Sequence, residues 1–460
     1  MPLTVVNMIP KSLSGETQQD SEPNIAVNPE NPLQIVGSAF TPDPLNGNRA
    51  PIFVSTDGGM SWSLRTIVPG GPATRDISVA FADRGGALYA GTLSFSTVAL
   101  NVLRTRNPFA VTPMTLLDDR GDEDQPWVSA ATAGTGAGKD RVYIGHNNFN
   151  TSPRTASVEL SRDARTAPAP AGFVSRVLER RTNVGQDGPP IRTAVHPDGT
   201  VYAAFHRWVS SLPSGPLDFS IDVVMTRDDN WGGGSTPFRA LTDPSDSRAG
   251  RRVAKDRFIR FTGSTGPLGQ ERIGADLAVA VDPSDSDKVW LAWCDRVGGA
   301  TSTDWTVHLR RSTNRGQTWG TERRKVTNAK NPTIAVNAHG VTGFMFQQLR
   351  GTGAARRWVT VLELSGDAFR TRTRHVLHTA LASDPPRQFL PYLGDYIRLL
   401  AVGDDFYGVF SGSNLPDAAN FPSGVTYQRN ANWNTHTLLR ADNSTPVQVS
   451  VDPFFVHHSP

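Results

Sequence analysis

The chain has little cysteine, little lysine and no long apolar run. One cysteine, Cys294, in 460 residues can form neither an intrachain disulfide nor a cysteine-built metal cluster, and it leaves the redox compartment open. Placed after Trp293 in an apolar stretch, it reads as a small core residue. No stretch is apolar for long enough to cross a bilayer. The start, Met-Pro-Leu-Thr-Val-Val, lacks the basic, apolar and small-residue order of a secretory leader, so the expected location is cytoplasmic or reached by a leaderless export route. The net charge of +3 is too weak over this length to indicate nucleic acid. Six of the 46 basic residues are lysine and the rest arginine. Genome composition explains that bias most simply; the functional alternative is bidentate recognition of carboxylates or sulfates.

Turn residues are plentiful. With 42 glycines, 34 prolines, 38% hydrophobic residues and no sustained helical period, the chain reads as many short strands joined by tight turns. Seven segments share one pattern, a polar or proline-containing start, an apolar strand and a Gly/Asp/Pro turn. They begin at Glu22, Arg75, Asp124, Pro190, Asp276, Asn331 and Gly394. The turns that follow, such as Asn28-Pro29-Glu30-Asn31-Pro32, His196-Pro197-Asp198-Gly199 and Asp282-Pro283-Ser284-Asp285, have tight-turn compositions. Strands repeated at this period predict an all-β chain, a single β-propeller spanning 1–460 with seven four-stranded blades, six being the alternative. The terminal segments Leu3–Met8 and Val447–Val456 both read as strands, one of them closing the ring. Insertions at Thr166–Gly172, Ser210–Pro216 and Asp243–Gly269 read as loops.

Two octapeptides stand out, Ser55-Thr56-Asp57-Gly58-Gly59-Met60-Ser61-Trp62 and Ser312-Thr313-Asn314-Arg315-Gly316-Gln317-Thr318-Trp319. Both fit S-x-(D/N)-x-G-x-x-W between strand patterns. Asp or Asn can cap backbone N–H groups, Gly takes positive φ, and Trp covers the turn. The chain thereby resembles the sialidase-like (neuraminidase) superfamily of Asp-box, or BNR-repeat, propellers. Ser55, Asp57, Gly59 and Trp62, with Ser312, Asn314, Gly316 and Trp319, would be the structural box residues. Degenerate copies are Ser161-Arg162-Asp163, Thr226-Arg227-Asp228-Asp229-Asn230-Trp231 and Arg429-Asn430-Ala431-Asn432-Trp433, with Ser365-Gly366-Asp367 weaker still.

In such a propeller the starts of the inner strands and the loops after the second strands meet at one face, opposite the box turns. That face collects acids, arginines and aromatics, a mixture suited to a sugar acid; the plainer reading is a solvated ring of paired charges. The resemblance implies a sialidase-like glycoside hydrolase, with a Tyr nucleophile, an acid/base pair and arginines around a substrate carboxylate. By position, Tyr396, Asp124, Glu123 and Asp76 are the candidate catalytic residues, and Arg75, Arg192, Arg272, Arg296, Trp127, His206 and Trp208 the candidate substrate binders. Two near-matches to superfamily motifs sit badly. Arg49-Ala50-Pro51 leads into a third strand, and Asp83 in Ala80-Phe81-Ala82-Asp83-Arg84 falls in a turn at the wrong face.

No cofactor is expected. The acidic run Asp122-Glu123-Asp124 is the one candidate for Ca²⁺, without a recognised ligand loop, and His146 with His206 lacks a third zinc ligand. The expected partner is a glycan or sugar acid, with protein partners as a further option and neither nucleic acid nor membrane. The alternative functions are a non-catalytic propeller that binds a glycan or protein, and a scaffold or cargo component of a bacterial assembly.

Overall fold

A computed structural model describes residues 3–40, 48–71, 73–94, 98–134, 138–166, 172–186, 191–215, 218–260, 265–266, 269–270, 277–299, 302, 305–386 and 393–460. Seven four-stranded antiparallel sheets are the blades. Their inner strands are Ser21–Val27, Thr74–Phe81, Glu123–Ala133, Arg192–Val195, Leu277–Asp282, Ala329–Val336 and Arg398–Val402. Each inner strand packs beside the next, and the seventh returns to the first, so the sheets form a closed ring. The chain is a β-propeller with the seven blades that its repeats predict.

The apolar composition of the strands follows from this ring. Alternate residues of a strand face opposite sides of its sheet, and here both sides are buried against neighbouring blades. On the first inner strand, Ile25 and Val27 enter the core shared with Tyr407, Val409 and Phe455 of blade seven. Ala26 enters the core shared with Ile77, Val79 and Phe81 of blade two. Seven such cores lie between successive blades. Cys294 is buried in the core between blades five and six, where its thiol donates to the Ala329 carbonyl.

Blade seven closes the ring with strands from both ends of the chain. Thr4–Asn7 is its outermost strand, paired with Val451–His458, which pairs with Asp405–Ser413. This blade therefore needs no turn between a third and a fourth strand. Arg429–Trp433 is accordingly not a degenerate box; it lies in an insertion with a small three-stranded sheet, between the second and third strands. A second correction concerns Asp243–Gly269, where Arg251–Arg260 is the outer strand of blade four rather than loop. Its charged faces, which mimic loop composition, are those of an outer strand that meets solvent.

The octapeptide turns are hydrogen-bonded clasps. Ser55 Oγ donates to Asp57 Oδ1 (2.8 Å) and accepts from Gly59 N–H (2.9 Å), Asp57 Oδ1 accepts from Ser61 N–H (2.9 Å), and Trp62 Nε1–H donates to the Gly59 carbonyl (3.0 Å). Ser312, Asn314, Gly316 and Trp319 repeat the pattern at 2.9, 2.9, 2.9 and 3.1 Å. Gly59 has φ of 89° and its Cα faces the Phe455 ring, so a side chain there would be strained and would clash. The faint copy at Ser365-Gly366-Asp367 makes the serine and aspartate bonds, with Phe369 N–H on Ser365 Oγ (2.7 Å) and Thr371 N–H on Asp367 Oδ1 (2.9 Å), but has Arg372 in place of the tryptophan. Phe369 occupies the glycine position at φ of 65°.

Candidate functional site

The starts of the inner strands gather at one mouth of the channel. Three of them are built alike, Glu22-Pro23, Gln125-Pro126 and Asn331-Pro332, with the residue before proline at φ of 52°, 62° and 52°. At each the pairing to the second strand shifts register. A left-handed non-glycine residue costs of order 1–3 kcal/mol and persists only where its surroundings hold it. Here they do. Glu22 Oε1 accepts from the Asp395 amide (3.1 Å), and Lys330 Nζ, itself buried, donates to the Gly394 carbonyl (2.9 Å). Gly394, at φ of 76°, lies so close to Glu22 that any side chain would collide with it.

Tyr396 sits at the centre of this arrangement. Its ring meets Trp127 edge-on, with centroids 5.5 Å apart. The Arg192 guanidinium lies 3.6 Å over Trp127 and 5.2 Å from the Tyr396 centroid, and Arg398 stands 4.7 Å over Trp127. Tyr396, Asp76, Trp127 and Arg192 are all buried. Burial, then the Asp76 and Glu22 carboxylates, push the Tyr396 phenol well above its ordinary range against the pull of Arg192. Its hydroxyl is enclosed and has no hydrogen-bond partner among the described residues. An enclosed, unpaired hydroxyl costs about 1–3 kcal/mol, so it marks a place where a bound group would complete the structure.

Trp127, Arg192 and Arg398 line a cavity of about 90 Å³ together with Leu277, Thr333 and Ile397, while Tyr396 itself is not in its wall. Below it lies a second cavity of about 290 Å³, also lined by Arg398. Arg398 therefore stands between two spaces within the channel. Its guanidinium donates to Asn24 Oδ1 (3.1 Å) and forms no ion pair among the described residues. Burial pushes its pKa down to about 10. A half-buried cation that lines two cavities without a carboxylate among the described residues is suited to an anion.

The remaining candidates are dispersed. Arg75 and Asp124 are half-buried at the rim, where Asp124 Oδ1 accepts from the Gln125 amide (2.7 Å). Glu123, expected at the mouth, is instead buried between blades two and three. Its Oε2 is 3.3 Å from His146 Nδ1, while His146 Nε2 is 3.5 Å from Glu159, which Arg120 faces at 3.4 Å. Successive strand residues face opposite ways, and that turns Glu123 off the channel. Burial pushes its carboxyl up to about 7. Asp122, Glu123 and Asp124 are thus exposed, buried and half-buried in turn, and do not form one acidic loop.

Trp208 and His206 belong to blade four. Trp208 stacks on Phe219 (3.8 Å) and lines, with Phe149, Arg154 and Gln186, an open hollow of about 550 Å³ that shares no lining residue with the channel cavity. Arg296, at the end of its strand, is buried beside Arg260 and Asp218. Asp83 caps Thr132 N–H (2.9 Å) at the channel's other end. Arg272 lies outside the described residues. Sequence reasoning missed Arg398 and Lys330. Arg398 follows Tyr396 by two, the spacing that keeps strand residues on one side, and that signal could have found it.

No protein-family profile matches the chain, and no curated protein matches it in sequence. Solved structures do. A GH93 α-L-arabinofuranosidase of Fusarium graminearum, in complex with arabinobiose, is 11% identical over 75% of this chain and 92% of its own, at a TM-score of 0.44. A PL25 ulvan lyase is 10% identical over 86% and 92%, at 0.48. Drosophila Semaphorin 2a is 8% identical over 89% and 74%, at 0.41. At these values nothing about substrate or chemistry passes to this chain.

Proposed function

We propose that the channel mouth takes the anionic end of a glycan and that the protein is a glycoside hydrolase of sialidase-like chemistry. The observation that carries this reading is the buried Tyr396 hydroxyl, without a hydrogen-bond partner among the described residues, in the field of the Asp76 and Glu22 carboxylates and of the Arg192 guanidinium. The cavity of about 90 Å³ is far below the roughly 300 Å³ at which ligand pockets begin, so it suits a carboxylate or sulfate substituent rather than a whole ring. Arg398 and Arg192 would hold that substituent, and Trp127 would shield it from water.

In the reaction, Tyr396 Oη attacks the anomeric carbon as its proton passes to Asp76 or Glu22. The glycosidic bond breaks, and the leaving oxygen takes a proton from Asp124 at the rim. Water then releases the sugar from Tyr396 by the reverse proton route. The hydrogen-bonded octapeptide turns support the same superfamily, since they are the features that carry the resemblance.

A second reading, a propeller that binds an acidic glycan without cleaving it, is favoured by one observation. Burial and the neighbouring carboxylates hold the phenol protonated, which disfavours attack. Chromogenic sialosides and uronides assayed with the wild type, Tyr396→Phe and Asp124→Asn separate the two. Turnover lost in both variants supports hydrolysis. No turnover, with saturable binding on a glycan array that Arg398→Met abolishes, supports binding. Neither turnover nor binding overturns both.

A further inference from the structure

The ring is closed by a segment that carries an unbalanced, buried set of acids far along the chain from the mouth. Glu16 and Asp20 lie between Thr4–Asn7, the outermost strand of blade seven, and Ser21–Val27, the innermost strand of blade one. Asp452 lies on the third strand of blade seven. Carboxylate oxygens of the three fall within 4.8 Å of one another, and all three residues are buried.

Among the described residues one cation faces them, Arg429, which is itself fully enclosed. It grips Asp452 at 2.9 Å and 3.1 Å and donates its other nitrogen to the Ser14 and Glu16 carbonyls (2.9 and 2.7 Å). Asn7 and Asn414 supply Asp452 with two further hydrogen bonds, at 2.7 and 2.6 Å. Asp452 is therefore saturated and its charge is neutralised. Asp20 is not. It is 0% exposed, and among the described residues neither of its carboxylate oxygens has a hydrogen-bond partner. Burial, then Glu16 and Asp452, raise its pKa well above the carboxylate range. Protonation alone does not resolve the conflict, because the acid would remain an enclosed donor and acceptor without partners.

We infer that Glu16, Asp20 and Asp452 form a divalent-cation site, of Ca²⁺ type, that locks the propeller ring shut. Asp452 is matched by Arg429 and Glu16 Oε1 accepts from the Gln18 amide, so Asp20 is the acid whose charge a divalent ion would offset. The donors are oxygens alone, which selects hard cations and disfavours zinc. Two of the carboxylates come from an irregular segment rather than a rigid strand, and Ca²⁺ accepts a variable geometry more readily than Mg²⁺. The other buried trio, Glu123, His146 and Glu159, is a poorer site, because each imidazole nitrogen of His146 faces a different carboxylate.

The site is tested on the full chain, stripped with EDTA and titrated calorimetrically with Ca²⁺ alone. One equivalent is expected to bind saturably and to raise the melting temperature by roughly 3 °C or more at excess Ca²⁺. It should also slow proteolysis within residues 8–20. Asp20→Asn and Glu16→Gln should each weaken binding at least about tenfold, and Asp122→Asn, in the exposed loop, should leave it unchanged. If Asp20→Asn does not fold, the wild-type titration and Glu16→Gln decide. Absence of saturable binding to the stripped wild type overturns the inference, as does equal loss in Asp122→Asn.

Discussion

The two ends of the channel handle polar groups in opposite ways. At the turn end, each clasp pairs its own donors and acceptors within eight residues. Ser55, Asp57 and Ser61 satisfy one another, and Trp62 returns its N–H to Gly59 before packing edge-on against Phe455 of blade seven at 5.4 Å. At the mouth, seven strand starts bring together residues distant in sequence, and the result is left incomplete. Among the described residues Tyr396 has a hydroxyl without a partner and Arg398 a guanidinium without a carboxylate. A region that satisfies itself is built for stability, and one that does not is built to receive something.

That contrast can be broken by substitution. The largest loss of stability is expected for Trp62→Ala, which empties the space against Phe455 and should cost roughly 3–5 kcal/mol, read as a fall in denaturation midpoint. A loss below about 1 kcal/mol would remove the clasp from the account of stability. Next comes the buried trio between blades two and three. Glu123 titrates at about 7 in the fold instead of 4.5, so its contribution is full below pH 4.5 and is lost as pH rises through 7. Unfolding free energies read from denaturation curves should fall between pH 4.5 and 7.5 by an amount on the order of 1–3 kcal/mol, and Glu123→Gln should flatten that slope. Glu159, held low by His146, Ser175 and Arg120 against its burial, acts with the opposite sign at lower pH.

A smaller effect, about 1 kcal/mol, is expected from Ser365→Ala, which removes the acceptor for Phe369 N–H. An effect of that size would show that the faint third turn works as the two full octapeptides do. The smallest effect belongs to the mouth. Tyr396→Phe deletes an unpaired buried hydroxyl, so stability should hold or rise by up to about 1 kcal/mol while glycan turnover or binding disappears. A destabilised Tyr396→Phe protein would mean that the hydroxyl has a partner after all, and the two ends would no longer differ.

Much of the ring was legible before the structure. The seven inner strands start within a few residues of the predicted repeats because two-sided burial demands short apolar runs between turn residues, a pattern written locally. Ser365-Gly366-Asp367 was harder to recognise, because a phenylalanine replaces the glycine and a hydrogen-bonded turn can survive that where residue spelling does not. At the mouth, strand alternation put Asp76, Trp127, Arg192 and Tyr396 together. The same alternation turned Glu123 away, since a bulge at Asp124–Trp127 resets which side each residue faces.

What the sequence determined by itself is the period of the fold, its turns and the two clasps, all of which depend on residues within about ten positions of one another. What only the tertiary structure decided is which distant side chains meet. Arg398 came to lie between two cavities, and Asp20 came to face Glu16 and Asp452 without a partner of its own. The reason is closure. A ring fixes contacts between residues hundreds of positions apart, and no local pattern of apolar or turn residues encodes which polar group is left over where its ends join.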